Sequence, residues 1–346
     1  MATALETVSK MISASISFGG YYACVEKYVR AARYCEEAGL SGVWIADSQM
    51  IHRDPYECLA LCATATRKIQ LGTAVTNPVT RDVTVTACAI ATLNEVSGGR
   101  AILGIGPGDS SVRRIGQKPA SVETLGKSIK TIRKICAGEA VEFPNGEQVS
   151  MRWSSDQLTV FVSATGKKML KLAGELGDGA IVNVGSSPQA MEDAIETLRH
   201  GAGERFRNFN VADLTFINIA ENRRDALEAA RPYVIWYWRN APRLFELNGL
   251  SPEKLKAEFE AFERDYVAHD HIHSEDISSA LAESSFISDE MVRKFAIAGT
   301  PEDCIRMIKE KERLGVKSFI ARHTGNEREW EIFLRTYCEQ VVPGLR

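Results

Sequence analysis

Residues 101–116, AILGIGPGDSSVRRIG, combine a short apolar run with three alternate glycines, an aspartate and two serines. Such glycines suggest a phosphate-binding loop, which in dinucleotide-binding proteins has the pattern G-x-G-x-x-G. Counted from Gly104, the last glycine position holds Asp109, and counted from Gly106 it holds Ser111. The pattern fails in both registers, and the Pro-Gly pair also lacks the following helix that would hold a pyrophosphate.

The segment SATGKK (163–168) is a better candidate for binding one phosphate. Thr165, Gly166 and Lys167 follow an apolar run where a helix is expected to begin. Free backbone N–H groups, a hydroxyl and an ammonium would converge there, which suits an anion. Alternatively, Thr165 only caps the helix.

The composition argues against several classes of protein. The 346 residues carry a net charge of −3, from 42 basic and 45 acidic residues that are mixed along the chain. Nucleic acid and membrane partners are therefore not expected. No apolar stretch approaches the roughly 20 residues of a membrane helix, and the N-terminus does not resemble a signal peptide. We expect a cytoplasmic protein whose eight cysteines are reduced and serve as small core residues.

Strand-like and helix-like segments alternate eight times along the chain. Residues 35–46, 173–184 and 311–321 each end a helix with a glycine and then start a continuous apolar strand, which is typical of parallel βα units. Eight such units predict a closed (β/α)₈ TIM barrel, an α/β fold, rather than an open sheet. The expected strands are 12–18, 43–46, 69–75, 101–105, 159–164, 179–184, 214–220 and 317–321.

Two segments break this alternation within one barrel domain that spans residues 1–346. Residues 138–156 contain an Asn-Gly turn between short extended pieces, which predicts a small ribbon. Residues 236–295 are rich in charge and helix formers, and we interpret them as a helical insertion after the seventh strand that folds partly over the active face.

In TIM-barrel enzymes, the active site lies at the carboxyl ends of the strands. Asp47 and Asp109 follow the second and fourth expected strands, so both are candidates for a role in the site. Alternatively, each carboxylate caps the next helix or pairs with an arginine.

The run GTAVTNPVTRDVTVTACAIATLNEVSGGRAILGIGPGDSSVRRIG (72–116) strongly resembles the bacterial-luciferase-like superfamily, particularly the branch that contains methylenetetrahydromethanopterin reductase. Residues 39–48, 161–183 and 295–305 provide further matches in the right order. The resemblance covers most of the chain outside the insertion. It implies a (β/α)₈ barrel that binds FMN or the deazaflavin coenzyme F-420, in agreement with the strand count.

The resemblance also assigns cofactor-binding positions. Asp47 matches an aspartate that hydrogen-bonds the flavin-type ring, and Asn77 lies on the next loop beside it. Ala74 and Val75 match the position of a non-proline cis peptide behind the ring. Gly108 belongs to the loop whose backbone passes close to the ring.

The same resemblance implies which residues lie near the phosphate of the cofactor and which residue takes part in the reaction. Thr165, Gly166 and Lys167 match the stretch that approaches the side chain or phosphate of the cofactor. Asp109 matches an acidic position that is catalytic or substrate-facing in some deazaflavin relatives. It is therefore a candidate catalytic residue.

One departure from the family concerns a general acid or base. Deazaflavin-dependent dehydrogenases of this group commonly have Asp-His after the second strand, whereas this chain has Asp47 and Ser48. Ser48 occupies the catalytic position, and His52 supplies an imidazole from the same loop or is a surface residue. The cluster Trp236, Tyr237 and Trp238 either walls the ring or forms the core of the insertion.

These features lead to four functional hypotheses. The first is an FMN-dependent monooxygenase of a small organic substrate, supplied with reduced flavin by a separate reductase, because no NAD(P)-binding pattern is found. The alternative is a coenzyme F-420-dependent reductase or dehydrogenase that transfers a hydride. A non-catalytic flavin-binding protein, or a metal-dependent hydrolase based on His269, His271 and His273, is less favoured. We expect no bound metal, and the resemblance implies a homo-oligomer.

Overall fold

The computed structural model describes residues 12–18, 24–155, 157–268, 271–272, 283–323 and 327–346. Eight parallel strands among them form a closed barrel, which confirms the predicted fold. Each strand pairs with the next, and the last strand pairs with the first. The barrel strands are β1 (Ser13–Phe18), β2 (Gly42–Ile45), β3 (Gln70–Thr73), β4 (Ala101–Ile105), β5 (Val160–Ala164), β6 (Gly179–Val182), β7 (Asn210–Ile219) and β8 (Ser318–Arg322).

Helices cover the outside of this barrel. Those that follow β1 to β6 are α1 (Val25–Glu37), α2 (Pro55–Ala65), α3 (Val83–Ser97), α4 (Ser110–Arg113), α5 (Val122–Cys136), α6 (Lys167–Leu176) and α7 (Pro188–Ala202). Those after β7 are α8 (Arg223–Ala230), α9 (Tyr233–Asn240), α10 (Arg243–Leu247), α11 (Lys256–Tyr266), α12 (Asp289–Phe295), α13 (Pro301–Leu314) and α14 (Glu327–Thr336). Shorter 3₁₀ or π segments span Gly203–Arg207, Pro252–Leu255, Ser284–Phe286, Tyr337–Val341 and Val342–Leu345.

The barrel interior is packed with apolar side chains. Trp44 on β2 and Phe161 on β5 lie 5.8 Å apart, measured between ring centroids, and Leu214 on β7 belongs to the same cluster. A second, larger cluster fills the space between the strands and the helices. The strands are therefore buried on both faces, which explains their continuous apolar sequence.

Short strands outside the barrel complete the sheet structure. Val141–Glu142 pairs antiparallel with Gln148–Val149 across the Asn-Gly turn, as expected for the ribbon. Val267–Ala268 pairs antiparallel with His271–Ile272. Ile297–Gly299 pairs in parallel with the last three residues of β7, 217–219.

The aromatic cluster that was singled out in the sequence divides between two environments. Trp238 stacks on Phe259 at 5.0 Å, and Tyr237 packs against Phe295 at 5.0 Å, so both belong to the core of the helical region. Trp236 instead lines the cavity described below. The core alternative therefore holds for Tyr237 and Trp238, whereas a role of Trp236 in walling the ring stays a prediction.

The structure also bears on the expectations about metal sites, membrane-spanning helices and cysteines. Within the described ranges, no three or more His, Cys, Asp or Glu side chains cluster in a way that could hold a metal ion. His269 and His273 lie outside those ranges. No helix in the described part of the chain is both long and apolar enough to cross a membrane. All eight cysteines are free thiols.

Asp303 at the start of α13 predicts a dependence of stability on acid. Arg223 forms two hydrogen bonds with its carboxylate, at 2.6 and 2.7 Å, and Thr300 completes a capping box with it. The hydrogen bonds from Arg223 hold the pKa of Asp303 well below its usual range. A lowered folded-state pKa stabilises the protein above the unfolded pKa of about 4, and this contribution is lost as the pH falls through the folded-state value.

We therefore expect Asp303→Asn to lower the free energy of unfolding by about 1–2 kcal/mol near neutral pH. The difference from wild type should shrink as the pH approaches the acid limb. Urea unfolding of both proteins across the acid range measures this, and an equal difference at every pH would contradict it.

Candidate active site at the mouth of the barrel

A cavity of about 360 Å³ opens at the carboxyl ends of the strands. This volume lies within the range of small-molecule and cofactor sites. Nine of the eleven site residues expected from the sequence line it: Asp47, Ser48, His52, Ala74, Val75, Gly108, Asp109, Thr165 and Gly166. The fold therefore brings these nine residues together, although they follow four different strands.

Asp47, directly after β2, is a buried carboxylate held by two neighbours. Its Oδ2 accepts a hydrogen bond from Thr76 at 2.6 Å and another from Arg81 at 3.1 Å. Arg81 also pairs with Asp54 at 2.7 Å. Burial lowers the pKa of Arg81 and the hydrogen bonds to the two carboxylates raise it, with a net rise. Asp47 is thus paired with an arginine, the alternative considered above, and still faces the cavity.

The floor of the cavity is a break in β3. The peptide bond between Ala74 and Val75 is cis, at the position that the resemblance implied. The Ala74 N–H donates to the Ile45 carbonyl at 2.8 Å, and the chain rejoins β4 where the Thr76 N–H donates to the Gly104 carbonyl at 2.9 Å. This explains why β3 ends at Thr73 rather than at Val75 as expected.

The glycines of GIGPG make room for this break. A Cβ on Gly104 would overlap the carbonyl oxygen of Thr73, and one on Gly106 would lie 3.0 Å from Cγ2 of Val75. Gly108 has a φ of +91°, in the left-handed region that favours glycine. The first two glycines therefore accommodate the protein's own backbone and side chains.

Gly104→Ala tests this packing. Because the obstructing atom belongs to the backbone, we expect a loss of about 3 kcal/mol in the free energy of unfolding, at the upper end of the cost of overpacking. Gly166→Ala is the matched control, since a Cβ there meets no atom within 4 Å. Thermal and urea unfolding measure both variants, and equal stability of the two would contradict the argument.

Hydrogen bonds connect the loops after β2 and β4. The Ser48 and Ser110 hydroxyls lie 3.1 Å apart, and the Gln49 amide donates to the Ser111 carbonyl at 2.7 Å. Asp109 precedes α4, and its Oδ1 accepts from Arg113 at 3.0 Å while its side chain remains about one-third exposed, at 35%. Asp109 is thus accessible from the cavity.

The N-terminus of α6 lies at the β5 side of the cavity. Gly166 is the N-cap residue, and no side chain caps the helix. The first backbone N–H groups of a helix have no partner within the helix, so they are available to an anion. A Cβ built on Gly166 would meet no atom within 4 Å, so there is open space beside this end of the helix.

The other two expected site residues, Asn77 and Lys167, are not among the residues that line the cavity, so their cofactor-binding roles stay predictions. Asn77 is buried, with its Oδ1 accepting from the N–H groups of Val79 and Thr80 and its Nδ2 donating to Ser111 at 3.1 Å. These hydrogen bonds stabilise the loop that contains Asn77, behind the residues that line the cavity. The Lys167 side chain is exposed, and its ammonium lies 3.5 Å from Asp193 on α7.

A family model described as luciferase-like monooxygenase matches residues 11–318. The chain belongs to this family. A 5,10-methylenetetrahydromethanopterin reductase of Archaeoglobus fulgidus is 35% identical, covering 93% of this chain and 96% of that protein. One of Methanolobus tindarius is 33% identical, covering 86% and 90%.

The structural comparison agrees with the sequence comparison. The solved coenzyme F-420-dependent tetrahydromethanopterin reductase of Methanopyrus kandleri superposes with a TM-score of 0.78 at 26% identity, covering 97% of this chain and all of that one. The expected resemblance to this branch of the luciferase-like family is confirmed, and the protein is an oxidoreductase of the family.

The residues that line the cavity without a role assigned from the sequence include Asn183 after β6, Leu214 on β7 and Arg322 at the end of β8. Asn183 lies in the segment 183–187 and Arg322 in the segment 321–325, and both segments follow expected strands. Their position at the carboxyl end of a strand was the signal in the sequence that could have identified them. Asn183 also ends the matched stretch 161–183, in which the resemblance assigned roles to Thr165, Gly166 and Lys167.

Proposed function

We propose that this luciferase-like protein transfers a hydride between the deazaflavin coenzyme F-420 and a carbon atom of a small substrate of the methylenetetrahydropterin type. The main support is that relatives matching nearly the whole chain are named as methylenetetrahydromethanopterin reductases. This reverses the order of the sequence-based hypotheses, in which the FMN-dependent monooxygenase came first. A separate flavin reductase belongs only to that FMN alternative.

The cavity residues fit such a cofactor. The Gly166 N-cap and the open N–H groups of α6 would bind its phosphate, and the Ala74–Val75 break would support one face of its ring system. Asp47, at the edge of the cavity, would accept a hydrogen bond from the ring. When bound, the deazaflavin supplies or accepts the hydride. The apolar floor and Trp236 would keep water away from the reacting carbon.

The parallel titration of coenzyme F-420 and FMN into purified protein, followed by fluorescence, tests the proposal. We expect the deazaflavin to bind and FMN to bind at least tenfold more weakly. Binding of FMN alone would instead support the monooxygenase. Binding of neither would contradict both, and deazaflavin binding without turnover would favour the non-catalytic protein.

Asp109 is the proposed group that moves a proton or contacts the substrate, because Ser48 has no imidazole and its hydroxyl lies next to Ser110. His52 lines the same cavity and is the second candidate. We expect Asp109→Asn to lower kcat by about 10²-fold or more, the usual contribution of a general acid or base. Deazaflavin affinity should stay within threefold of wild type, and unchanged turnover would make Asp109 a structural residue.

The outer faces of α2 and α3 support the proposed homo-oligomer. Leu61 and Val85 are 48% and 51% exposed, and the only charged residues of these two helices are Glu57 and Glu95. These two helices pack against each other, and an exposed apolar patch of sufficient extent marks an association site. We expect Leu61→Glu to shift the protein to monomer in analytical ultracentrifugation, whereas Ile332→Glu, an exposed apolar position on α14, should not.

A further inference from the structure

The β6 and β8 side of the cavity carries two hydrogen-bond donors that the proposed cofactor site does not use. Asn183 follows β6 and Arg322 ends β8, and both line the cavity. β7 lies between these two strands and is four strands away from β3 around the barrel. The pair therefore lies across the cavity from the Ala74–Val75 floor.

Arg322 is held in place by aromatic contacts. Its guanidinium carbon lies 4.8 Å from the ring centroid of Phe216, its register partner on β7. Phe216 is in turn stacked on Tyr233, with the centroids 4.8 Å apart. This contact orients the guanidinium while leaving its N–H groups for another partner.

Arg322 has no counter-ion in direct contact. Within the described ranges, it forms neither a hydrogen bond nor an ion pair through its side chain. Asp109 also lines the cavity, but its carboxylate is already bonded to Arg113 at 3.0 Å. Burial lowers the pKa of Arg322, but an arginine remains protonated in proteins. A partly buried positive charge without a bonded counter-ion is costly, so a ligand that supplies the anion would be bound favourably.

Asn183 presents its amide N–H₂ to the same space. Asn183 is 5% exposed, and its Oδ1 accepts from the Tyr237 hydroxyl at 2.6 Å. The hydroxyl hydrogen of Tyr237 is therefore directed to Asn183. Because Oδ1 is engaged by this hydrogen, Nδ2 faces away from Tyr237 as a donor.

We infer that Arg322 and Asn183 form a subsite for an anionic oxygen group, such as a carboxylate, on the substrate. The inference rests on the proposed function only in assigning the anion to the substrate rather than to the cofactor. A donor pair of this kind has no acceptor of its own, so it discriminates anionic from neutral ligands of equal shape.

The test compares benzoate with its neutral analogue benzamide by isothermal titration calorimetry, on the full-length protein with and without deazaflavin. We expect wild type to bind benzoate at least tenfold more tightly than benzamide. Arg322→Met should remove this preference, and Arg322→Lys should retain part of it. Asn183→Asp should also remove it, because a carboxylate beside Arg322 replaces the ligand anion. Arg199→Met, which removes an exposed arginine packed over Phe206 at 5.0 Å, should behave as wild type.

Equal binding of the two probes to wild type, or a preference that survives in Arg322→Met, would overturn the inference. A tenfold loss of deazaflavin affinity in Arg322→Met would also overturn it, since the subsite would then serve the cofactor. Failure of wild type to bind deazaflavin would contradict the proposed function alone. The affinities for benzoate and benzamide are also measured without deazaflavin, so the anion subsite would still be tested.

Discussion

Lys311→Met is expected to lower the free energy of unfolding by about 3–5 kcal/mol, the usual cost of removing one partner from a buried ion pair. Lys311 on α13 lies 2.7 Å from Asp213 on β7, and neither side chain is more than 4% exposed. Its ammonium also donates to the Gly185 carbonyl at 2.7 Å. Without Lys311, only the hydrogen bond from Thr215 at 2.8 Å remains to the Asp213 carboxylate among the described residues.

The sign of the pH dependence distinguishes this mechanism from a simple loss of packing. Burial raises the pKa of Asp213, and Lys311 opposes that rise. In Lys311→Met the folded-state pKa should rise further, so the protonated form stabilises the fold at low pH and this contribution is lost as the pH rises. We therefore expect the variant to be less destabilised near pH 5 than near pH 8.

Urea unfolding at the two pH values measures this, with Arg313→Met as the control on the same helix. Arg313 is exposed, so its replacement should change stability by no more than about 0.5 kcal/mol. The double variant Asp213→Leu with Lys311→Met should recover most of the loss, because it leaves no buried charge. A double variant as unstable as Lys311→Met would contradict the account.

Asp47→Asn is expected to weaken deazaflavin binding about tenfold to thirtyfold, the effect of losing a hydrogen bond to a charged group. The substitution keeps the shape of the side chain and an oxygen that can accept from Thr76 at 2.6 Å. Arg81 retains its ion pair with Asp54 at 2.7 Å, so the loop should keep its conformation.

Asp54→Asn is the matched control for this experiment. It removes the other carboxylate that pairs with Arg81 but does not line the cavity, and asparagine is also a good N-cap for α2. Fluorescence titration should therefore show wild-type affinity for Asp54→Asn and reduced affinity for Asp47→Asn. Equal affinities for these two variants would place Asp47 outside the cofactor site.

The barrel could be predicted from the sequence because its signals are local. A glycine that ends a helix and a continuous apolar strand lie within a few residues, as in 35–46 and 173–184. The cavity followed from the rule that barrel loops gather at one end, which located Asp47, Asp109 and Thr165 correctly. The cis peptide at Ala74 and Val75 came from the family resemblance, since local propensity does not favour it.

The remaining features depend on partners that are distant in sequence. Asn77 is occupied by Ser111 and Lys167 by Asp193, and neither pairing is visible in a local pattern. Arg322 and Asn183 stand out only because, in the part of the chain that the structure describes, no protein acceptor is bonded to their side-chain donors. Gly104 could be recognised as a strand-end glycine, but the carbonyl that excludes a Cβ there belongs to Thr73 on the neighbouring strand.

We propose that the protein transfers a hydride from the deazaflavin to carbon without using oxygen. Reduced coenzyme F-420 carrying deuterium at the hydride-donating carbon, incubated with the protein and 5,10-methylenetetrahydromethanopterin, tests it directly by mass spectrometry of the product. The account predicts one deuterium per product molecule and no oxygen uptake. Product without deuterium, or oxygen consumption in proportion to turnover, would contradict it.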